Sequence, residues 1–316
     1  MYESPAQNKP LREGFLFSCQ GYRIESQLST SGFFMTYLAR DEEGELFVIR
    51  EYLPARLARR GGDAPCPIVD DDKRQAFDLG LENFFAEATA LARIDHPNVV
   101  KVVALFRANE TAYVVRRHEP GHNLQDVIRL LSERGEAITE DVLRHICVAI
   151  LDGLQEVHDR RLLHLDIQPG NVHLRKNGQP MLINFGASRL PLREVVMPLG
   201  TNLGSLYTPG FAAPEQEVPG EPIGPWTDIY AIGATLYSCL AGRPPMAARA
   251  RRRADTLEPA ERRWLGQYSP QLLELIDWCM HLDPDRRPRS AQVLQRVLKG
   301  ELLDLVDPDW FISPMH

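Results

Sequence analysis

The 316-residue sequence lacks most of the features that mark secreted, membrane-spanning or metal-binding proteins. Its five cysteines are scattered, with no C-x-x-C pair and no histidine at metal spacing, so neither disulfides nor zinc are expected and a reducing, cytoplasmic location is predicted. The polar N-terminus contains no apolar segment of a signal peptide, and no apolar run approaches the roughly 20 residues that span a membrane. Internal repeats and long low-complexity stretches are also absent.

A strong charge of either sign is absent as well. The formal net charge is -7, and 25% of the residues are charged while 44% are hydrophobic. This composition is typical of a soluble globular protein. Because a mildly acidic chain has no overall attraction for nucleic acid or anionic lipid, neither is expected as a partner.

The first third of the chain has the pattern of a β-rich region. Apolar and polar residues alternate between Tyr22 and Arg50, and turn-forming residues from Asp41 to Glu45 interrupt them, as expected of a β-meander. Apolar residues at helical spacing follow. The prediction is a meander over 22–50, a loop over 59–72, a helix over 75–93, and strands over 99–106 and 111–118.

After Gly121 the pattern becomes mostly helical. Helices are predicted over 124–132, over 139–160 and from Asp228 onward, with short strands over 163–166, 171–174 and 181–185. A small β-rich lobe followed by a larger helical lobe is an α+β, two-lobed plan. The predicted divisions are a leader over 1–20, the β-rich lobe over 21–119, the helical lobe over 120–300, and a tail over 301–316 that packs on the helical lobe or presents a contact.

The most specific signal is a set of short motifs in a fixed order. They are HLDIQPGN from His164 to Asn171, NFG from Asn184 to Gly186, APE from Ala213 to Glu215, DIYAIG from Asp228 to Gly233, and DPDRRP from Asp283 to Pro288. In order and spacing they resemble motifs of the bacterial, eukaryotic-like (Hanks-type) serine/threonine protein kinases: the catalytic loop, D-F-G, A-P-E and two later C-lobe elements. The resemblance covers almost the whole chain, from about Tyr22 to Leu298.

The resemblance implies a two-lobed protein-kinase fold, with a small β-rich N-lobe that carries one main helix and a larger helical C-lobe. It implies that Asp166 is the base that orients the acceptor hydroxyl and that Asn171 is a metal ligand. Glu215 is expected to pair with Arg287, and Asp228 to accept hydrogen bonds from the catalytic-loop backbone. The fold-holding positions are retained, namely Glu87, His164, Phe185, Gly186, Glu215, Asp228 and Arg287.

The loop that meets the phosphates departs from the family pattern. Its three defining glycines align with Ser29, Ser31 and Phe34, and the remaining Gly32 is not one of the three. A bulky Phe34 over the phosphates is expected to prevent a normal cradle, because backbone N–H groups must approach the phosphates closely. Taken alone, the stretch reads as an ordinary strand, turn and strand.

The other nucleotide-binding positions are altered too. Arg50 replaces the family's strand lysine and presents a planar fork instead of a point charge, so a structural salt bridge with Glu87 is expected. Val48 replaces the small alanine that packs on adenine, and His173 replaces a leucine beneath it. Arg116 aligns with the back wall of the adenine pocket, where it needs a carboxylate partner such as Glu87.

The metal and phosphate positions of the catalytic half are changed as well. Asn184 replaces the aspartate of D-F-G, so a neutral carbonyl stands where Mg²⁺ prefers a carboxylate. Gln168 replaces the lysine that would neutralise the transferred phosphate. The retained Asp166 is either a surviving catalytic base or an inherited residue that hydrogen-bonds to the region of Thr208.

These substitutions favour a pseudokinase, a non-catalytic signalling or scaffold module that binds a partner protein and needs no cofactor. The alternative is an active but atypical serine/threonine kinase, with ATP and Mg²⁺ as cofactors, that transfers the γ-phosphate to protein. The first hypothesis is preferred because several contributions to transition-state stabilisation are missing, and about 1.4 kcal/mol corresponds to a tenfold change in rate.

Overall fold

The structure, a computed structural model, describes residues 8–185, 208–218 and 220–300. These residues form two compact units. The first comprises residues 8–96 and 100–120, and the second comprises residues 97–99, 121–185, 208–218 and 220–300. Gly186, the first seven residues of the predicted leader and the predicted tail over 301–316 lie outside the described residues.

The first unit is built mainly from β-strands. They are β1 (Leu16–Phe17), β2 (Tyr22–Thr30), β3 (Phe34–Arg40), β4 (Leu46–Tyr52), β5 (Ala58–Arg59), β6 (Ile68–Val69), β7 (Val102–Ala108) and β8 (Thr111–Arg117). Six of them form an antiparallel sheet in the order β1-β2-β3-β4-β8-β7, while β5 pairs with β6. Strands β2, β3 and β4 confirm the predicted meander. Asp41 closes the turn before β4, because its carboxylate accepts hydrogen bonds from the N–H groups of Glu43 and Glu45.

The helix of the first unit, α1 (Asp71–Leu91), packs against β7 and β8. Its buried face includes Phe77 and Phe84, as the apolar spacing predicts. The helix begins at Asp71 instead of Gln75, because the negative charges of its first turn interact favourably with the positive end of the helix. The prediction of a continuous loop over 59–72 is therefore wrong at its end, and that stretch also contains β6 and the last residue of β5.

A buried ion pair joins Glu51 of β4 to Arg60, and their side chains are 0% and 1% exposed. The two terminal nitrogens of Arg60 donate to the two carboxylate oxygens of Glu51 at 2.6 and 2.7 Å. The hydroxyls of Tyr37 and Tyr113 also donate to Glu51, each at 2.7 Å. Because an unpaired charge is costly to bury, these donors are what allow Glu51 to lie inside the unit.

Arg60 also anchors the segment that the sequence predicts as a leader. Its Nε donates to the carbonyl of Lys9 at 3.0 Å, and its backbone N–H donates to the side-chain oxygen of Asn8 at 2.7 Å. The N–H of Leu11 donates to the hydroxyl of Tyr37 at 3.1 Å. The described part of this segment is thus fixed to the same buried network.

The second unit is mainly helical. Its helices are α2 (Leu124–Glu133), α3 (Glu140–Asp159), α4 (Pro225–Ala241), α5 (Ala248–Arg253), α6 (Ala260–Arg263), α7 (Pro270–Cys279) and α8 (Ala291–Leu298). Strands β9 (Gly121–Asn123), β10 (Val172–Arg175) and β11 (Pro180–Leu182) form a sheet in the order β11-β10-β9. Short 3-10 turns cover Pro169–Asn171, Pro214–Gln216 and Pro284–Arg286. Helix α4 is the most apolar of these and is buried along most of its length.

The predicted strand over 163–166 is wrong, because the structure has no regular secondary structure there. Leu165 has a positive φ of 60°, a conformation that a strand does not contain. The N–H groups of His164 and Leu165 donate to the carboxylate of Asp228 instead of to a neighbouring strand. The apolar-polar alternation of this segment therefore reflects a buried loop.

The α+β class predicted from the sequence is confirmed, since the first unit carries the larger sheet and the second unit most of the helices. All five cysteines are free thiols, as predicted. Among the described residues, no helix combines the length and the apolar character that crossing a membrane requires.

The Glu51–Arg60 pair leads to a prediction about stability. Arg60→Met should lower the free energy of unfolding by about 3–5 kcal/mol, because it leaves the Glu51 carboxylate buried without its cation. Arg59→Met is the matched control, since the Arg59–Asp70 pair is exposed and should change stability by about 1 kcal/mol or less. Denaturant unfolding of both variants measures the difference. Equal effects of the two substitutions would contradict this account of the ion pair.

Candidate functional site

Four of the predicted nucleotide-binding residues lie on one face of the large sheet. The register pairs Phe34 with Tyr52 and Val48 with Arg116, and Arg50 lies between Val48 and Tyr52 on the same strand. Directly paired residues point to the same side of a sheet, and so do residues two apart along a strand. Phe34, Val48, Arg50 and Arg116 therefore share a face, which supports the alignment used in the sequence analysis.

The turn between β2 and β3 uses its backbone N–H groups internally. The N–H of Ser31 donates to the carbonyl of Phe34 at 2.8 Å. The Ser31 hydroxyl oxygen accepts from the N–H of Phe34 at 3.0 Å and, more weakly, from that of Phe33 at 3.4 Å. Backbone amides that already have acceptors do not form an anion-binding concavity. The amides of Ser31, Phe33 and Phe34 therefore all have acceptors within the turn.

The same turn is also fixed to the end of β4, and it does not require its glycine. The carbonyls of Gly32 and Phe33 accept from the N–H groups of Ala55 and Leu53 at 2.9 and 2.8 Å. A Cβ added at Gly32 would meet no atom within 4 Å, and its φ is not positive. Ser29 pairs with Thr36 directly after an irregularity in the β2–β3 register. This stretch is a strand, a turn and a strand, as its sequence taken alone predicts.

The structure places Phe34 in a buried position, and whether it lies over the phosphates stays a prediction. Its side chain is only 7% exposed and belongs to the core of the first unit. The ring lies 5.3 Å from the ring of Phe84 on α1 and 6.4 Å from that of Tyr52. The Phe34 side chain is held here because packing against two aromatic rings buries apolar surface that the turn would otherwise expose to water.

Arg50 stacks on this buried ring. Its guanidinium carbon lies 3.8 Å from the centroid of the Phe34 ring, within the range of a cation–π contact. A planar guanidinium stacks on an aromatic face better than an ammonium group does, which gives a reason for arginine at this position. The predicted salt bridge between Arg50 and Glu87 stays a prediction, and Glu87 itself is buried on α1.

Two further predicted nucleotide-binding residues are Arg116 in the first unit and His173 in the second. Burial lowers the pKa of Arg116 in the first unit to about 10, and the negative charge of Glu119 opposes this shift. His173 lies in the second unit on β10, where it pairs with Asn123 and Met181. The pairing of Arg116 with Glu87 stays a prediction.

In the second unit Asp166 lies at the centre of a group of polar side chains. Its Oδ1 accepts from Gln168 Nε2 at 3.0 Å and from the Thr208 hydroxyl at 2.9 Å, and its Oδ2 accepts from Asn171 Nδ2 at 2.8 Å. Burial raises the pKa of the Asp166 carboxyl, although the charge of His164 and these hydrogen bonds oppose the shift. The predicted contact between Asp166 and Thr208 is confirmed.

The two predicted metal positions, Asn171 and Asn184, bond to each other. Nδ2 of Asn184 donates to Oδ1 of Asn171 at 2.9 Å. Asn184 has a positive φ of 62°, a conformation that asparagine adopts more readily than most residues. Magnesium prefers carboxylate and free carbonyl oxygens, but here the carbonyl oxygen of Asn171 already has an amide donor. The described residues contain no group of three His, Cys, Asp or Glu side chains that could hold a metal ion.

The carboxylate of Asp228 fixes the backbone that carries Asp166. It accepts from the N–H groups of His164 and Leu165 at 2.9 and 2.7 Å and contacts Nε2 of His158 at 2.8 Å. The predicted hydrogen bonds from the loop to Asp228 are therefore confirmed. Burial alone would raise the pKa of Asp228, but the contacts with His158 and His164 outweigh it and leave the pKa below its ordinary value.

Two more contacts hold the surroundings of this loop. Arg287 donates to both carboxylate oxygens of Glu215 at 2.7 and 3.0 Å, and the two side chains are 0% and 1% exposed, so the predicted pair is confirmed. The rings of His164 and Phe185 lie 4.3 Å apart. A contact that the sequence did not predict joins Nε2 of Gln216 to the carbonyl of Leu165 at 2.8 Å.

Comparison with known sequences places this arrangement in context. A family model described as the protein kinase domain matches residues 68–298. Serine/threonine-protein kinase C of Synechocystis sp. is 30% identical over 284 residues, covering 88% of this chain and 49% of the relative. Serine/threonine-protein kinase PknA of Nostoc sp. is 27% identical over 286 residues, covering 88% of this chain and 47% of the relative. The chain thus spans about half the length of these curated relatives.

Solved structures agree with this match. The apo form of PpkA-294 is 30% identical, covers 92% of this chain and 99% of its own, and superposes with a TM-score of 0.77. The kinase domain of Mycobacterium tuberculosis PknI, at 20% identity, covers 92% of this chain and 100% of its own, with a TM-score of 0.65. The second likeness concerns the fold alone, and together they confirm the fold predicted from the sequence.

The environment of Asp228 predicts how stability depends on pH. Because its pKa is lowered in the folded state, its stabilising contribution is complete above the ordinary aspartate pKa of about 4 and is lost as the pH falls. At neutral pH Asp228→Asn should be less stable by about 1–3 kcal/mol, and this difference should shrink in acid. Unfolding curves from neutral to acidic pH measure it, with Asp159→Asn at the exposed end of α3 as the control. A difference that is constant with pH would contradict the assignment.

The open surroundings of Gly32 predict a tolerated substitution. Gly32→Ala should change the free energy of unfolding by only about 0.5 kcal/mol, because neither φ nor space requires glycine there. Gly233→Ala is the contrasting variant, since its Cβ would lie 2.5 Å from Cβ of Cys279 and should be clearly destabilising. Thermal unfolding of both variants provides the measurement. Strong destabilisation by Gly32→Ala would show that the turn has another conformation.

Proposed function

The chain belongs to the protein kinase domain family, and we propose that it is a degenerate member, a pseudokinase that binds a partner protein as a signalling or scaffold module. In this role the kinase fold presents a surface, and phosphate transfer is not the principal activity. The partner is another protein, and the module needs neither ATP nor Mg²⁺ for binding.

The observation that carries this proposal is the β2–β3 turn. Its amide groups bond to Ser31 and Phe34 within the turn, and the ring of Phe34 is buried beneath the guanidinium of Arg50. Phosphoryl transfer depends on positioning the triphosphate and neutralising its charge, with little covalent help from the protein. A turn in which the amides of Ser31, Phe33 and Phe34 already have acceptors offers fewer donors for that positioning.

The contacts that are retained support a binding role equally well. The Asp228 hydrogen bonds and the Glu215–Arg287 pair hold the second unit together. They stabilise the fold whether or not catalysis occurs, and a fold by itself does not establish an activity. Retained structural contacts beside altered nucleotide positions are what a protein-binding module of this family requires.

The second candidate function is an active but atypical serine/threonine kinase that uses ATP and Mg²⁺. Two observations favour it. The curated relatives carry the names of serine/threonine-protein kinases. Asp166 is also held by Asn171, Gln168 and Thr208 in an ordered arrangement, as a base that orients an acceptor hydroxyl would be. The names of the relatives support this candidate more directly than they support a pseudokinase.

Nucleotide binding and phosphate transfer together distinguish the two functions. For the pseudokinase we expect no saturable rise of the melting temperature with ATP, with or without Mg²⁺ or Mn²⁺, and no transfer to protein substrates above the level of Asp166→Ala. Saturable stabilisation by ATP, together with transfer that Asp166→Ala abolishes, would establish the kinase and overturn the proposal.

A variant that restores the family residues provides the converse test. Arg50→Lys combined with Asn184→Asp restores the family residue at two positions. The first change restores the point charge of lysine, and the second restores a carboxylate that Mg²⁺ prefers. If only these positions prevent binding, ATP should raise the melting temperature of the double variant. No gain is expected if the internally bonded turn also excludes the phosphates.

A further inference from the structure

A continuous chain of hydrogen bonds crosses the polar group of the second unit. It runs from Nδ2 of Asn184 to Oδ1 of Asn171 at 2.9 Å, and from Nδ2 of Asn171 to Oδ2 of Asp166 at 2.8 Å. Gln168 donates to the other carboxylate oxygen of Asp166 at 3.0 Å. Two neutral amide side chains therefore donate to one carboxylate, and a third amide donates to one of these two.

The chemistry of the donors fixes the orientation of these amides. An ionised carboxylate and a backbone carbonyl can only accept hydrogen bonds, and Nδ2 of Asn171 faces both Oδ2 and the backbone oxygen of Asp166. The nitrogen of Asn171 must therefore point towards Asp166. Its Oδ1 consequently points towards residue 184, where it needs a partner with a hydrogen to donate.

Asparagine at position 184 satisfies this requirement, whereas aspartate would not. An ionised aspartate there would place acceptor-only oxygens against Oδ1 of Asn171, and that arrangement is stable only with a cation between the two groups. The amide of Asn184 replaces such a cation with an N–H group. The hydrogen bond from Asn184 thus occupies the Oδ1 of Asn171 that a metal ion would otherwise have to contact.

We propose that this site functions without a divalent cation, and that Asn184 is the residue that excludes the ion by hydrogen-bonding to Asn171. Relative to the family pattern, Asn184 removes one negative charge and Gln168 removes one positive charge. The two substitutions therefore compensate each other in charge, and Gln168 keeps a hydrogen-bond donor while Asn184 introduces one. The inference rests on the proposed function and specifies it, because it identifies Mg²⁺ as an ion that the module does not take up.

Metal binding by the full chain without nucleotide tests the proposal. Thermal unfolding is followed in EDTA and in about 10 mM MgCl₂ or MnCl₂ for the wild type and for Asn184→Asp. The melting temperature of the wild type should not respond to the metal. Asn184→Asp should melt about 3–6 °C lower than the wild type in EDTA and should regain that loss when the metal is added.

Two further variants separate metal exclusion from a purely structural role. Asn184→Ala removes the donor without adding a charge, so it should be less stable than the wild type and should gain no response to metal. Asn177→Asp makes the same chemical change in an exposed turn and should behave as the wild type does. If Asn184→Asp does not fold in EDTA, purification in MgCl₂ followed by stepwise chelation measures the same dependence.

The results can overturn this inference without deciding the proposed function. The exclusion of the cation would be refuted if metal raised the melting temperature of the wild type in a saturable way. It would also be refuted if metal left the melting temperature of Asn184→Asp unchanged. Phosphate transfer by the wild type in EDTA would refute the pseudokinase while leaving the metal-free site intact. Metal binding without transfer would refute only the role of Asn184.

Discussion

The site of the second unit depends on the hydrogen bonds that the carboxylate of Asp228 accepts from the backbone. This carboxylate is fully buried on α4 and accepts hydrogen bonds from two successive backbone N–H groups, those of His164 and Leu165. Leu165 has a positive φ, which is unfavourable for a residue with a side chain and persists only when its surroundings enforce it. Asp166 follows directly in the chain, so its position depends on the same anchor.

In the first unit, strand β4 holds two neighbouring charged side chains on its opposite faces. Glu51 and Arg50 are neighbours on β4, and successive residues of a strand point to opposite sides. Glu51 is held by Arg60 and two tyrosines, while Arg50 lies on the other side against Phe34. A single residue step therefore separates a buried ion pair from a cation–π contact on the opposite face of the sheet.

The sequence predicted best what depends on spacing, and less well what depends on side-chain direction. The motifs identified Asp228, Glu215 and Arg287 correctly, because their order in the chain reflects a shared fold. The burial of Phe34 was not predicted, since an alignment does not show that two aromatic rings offer it a packing site. Glu51 did carry a signal, being an acidic residue within the apolar run from Phe47 to Leu53.

The bond between Asn184 and Asn171 was beyond the reach of sequence reasoning for a different reason. Each amide can donate or accept, and only the acceptor groups of Asp166 determine which end of Asn171 faces which neighbour. The substitution at position 184 was visible in the sequence as a lost charge. That it also supplies a donor became apparent only from the geometry.

The contact between Arg60 and the segment near Lys9 has a consequence for the order of folding. The two residues are 51 positions apart in the chain, whereas the strands of the meander are joined by short turns. The entropic cost of closing a loop rises with its length, so the hairpins form before this distant contact. By this argument the N-terminal segment closes over a meander of β2, β3 and β4 that has already formed.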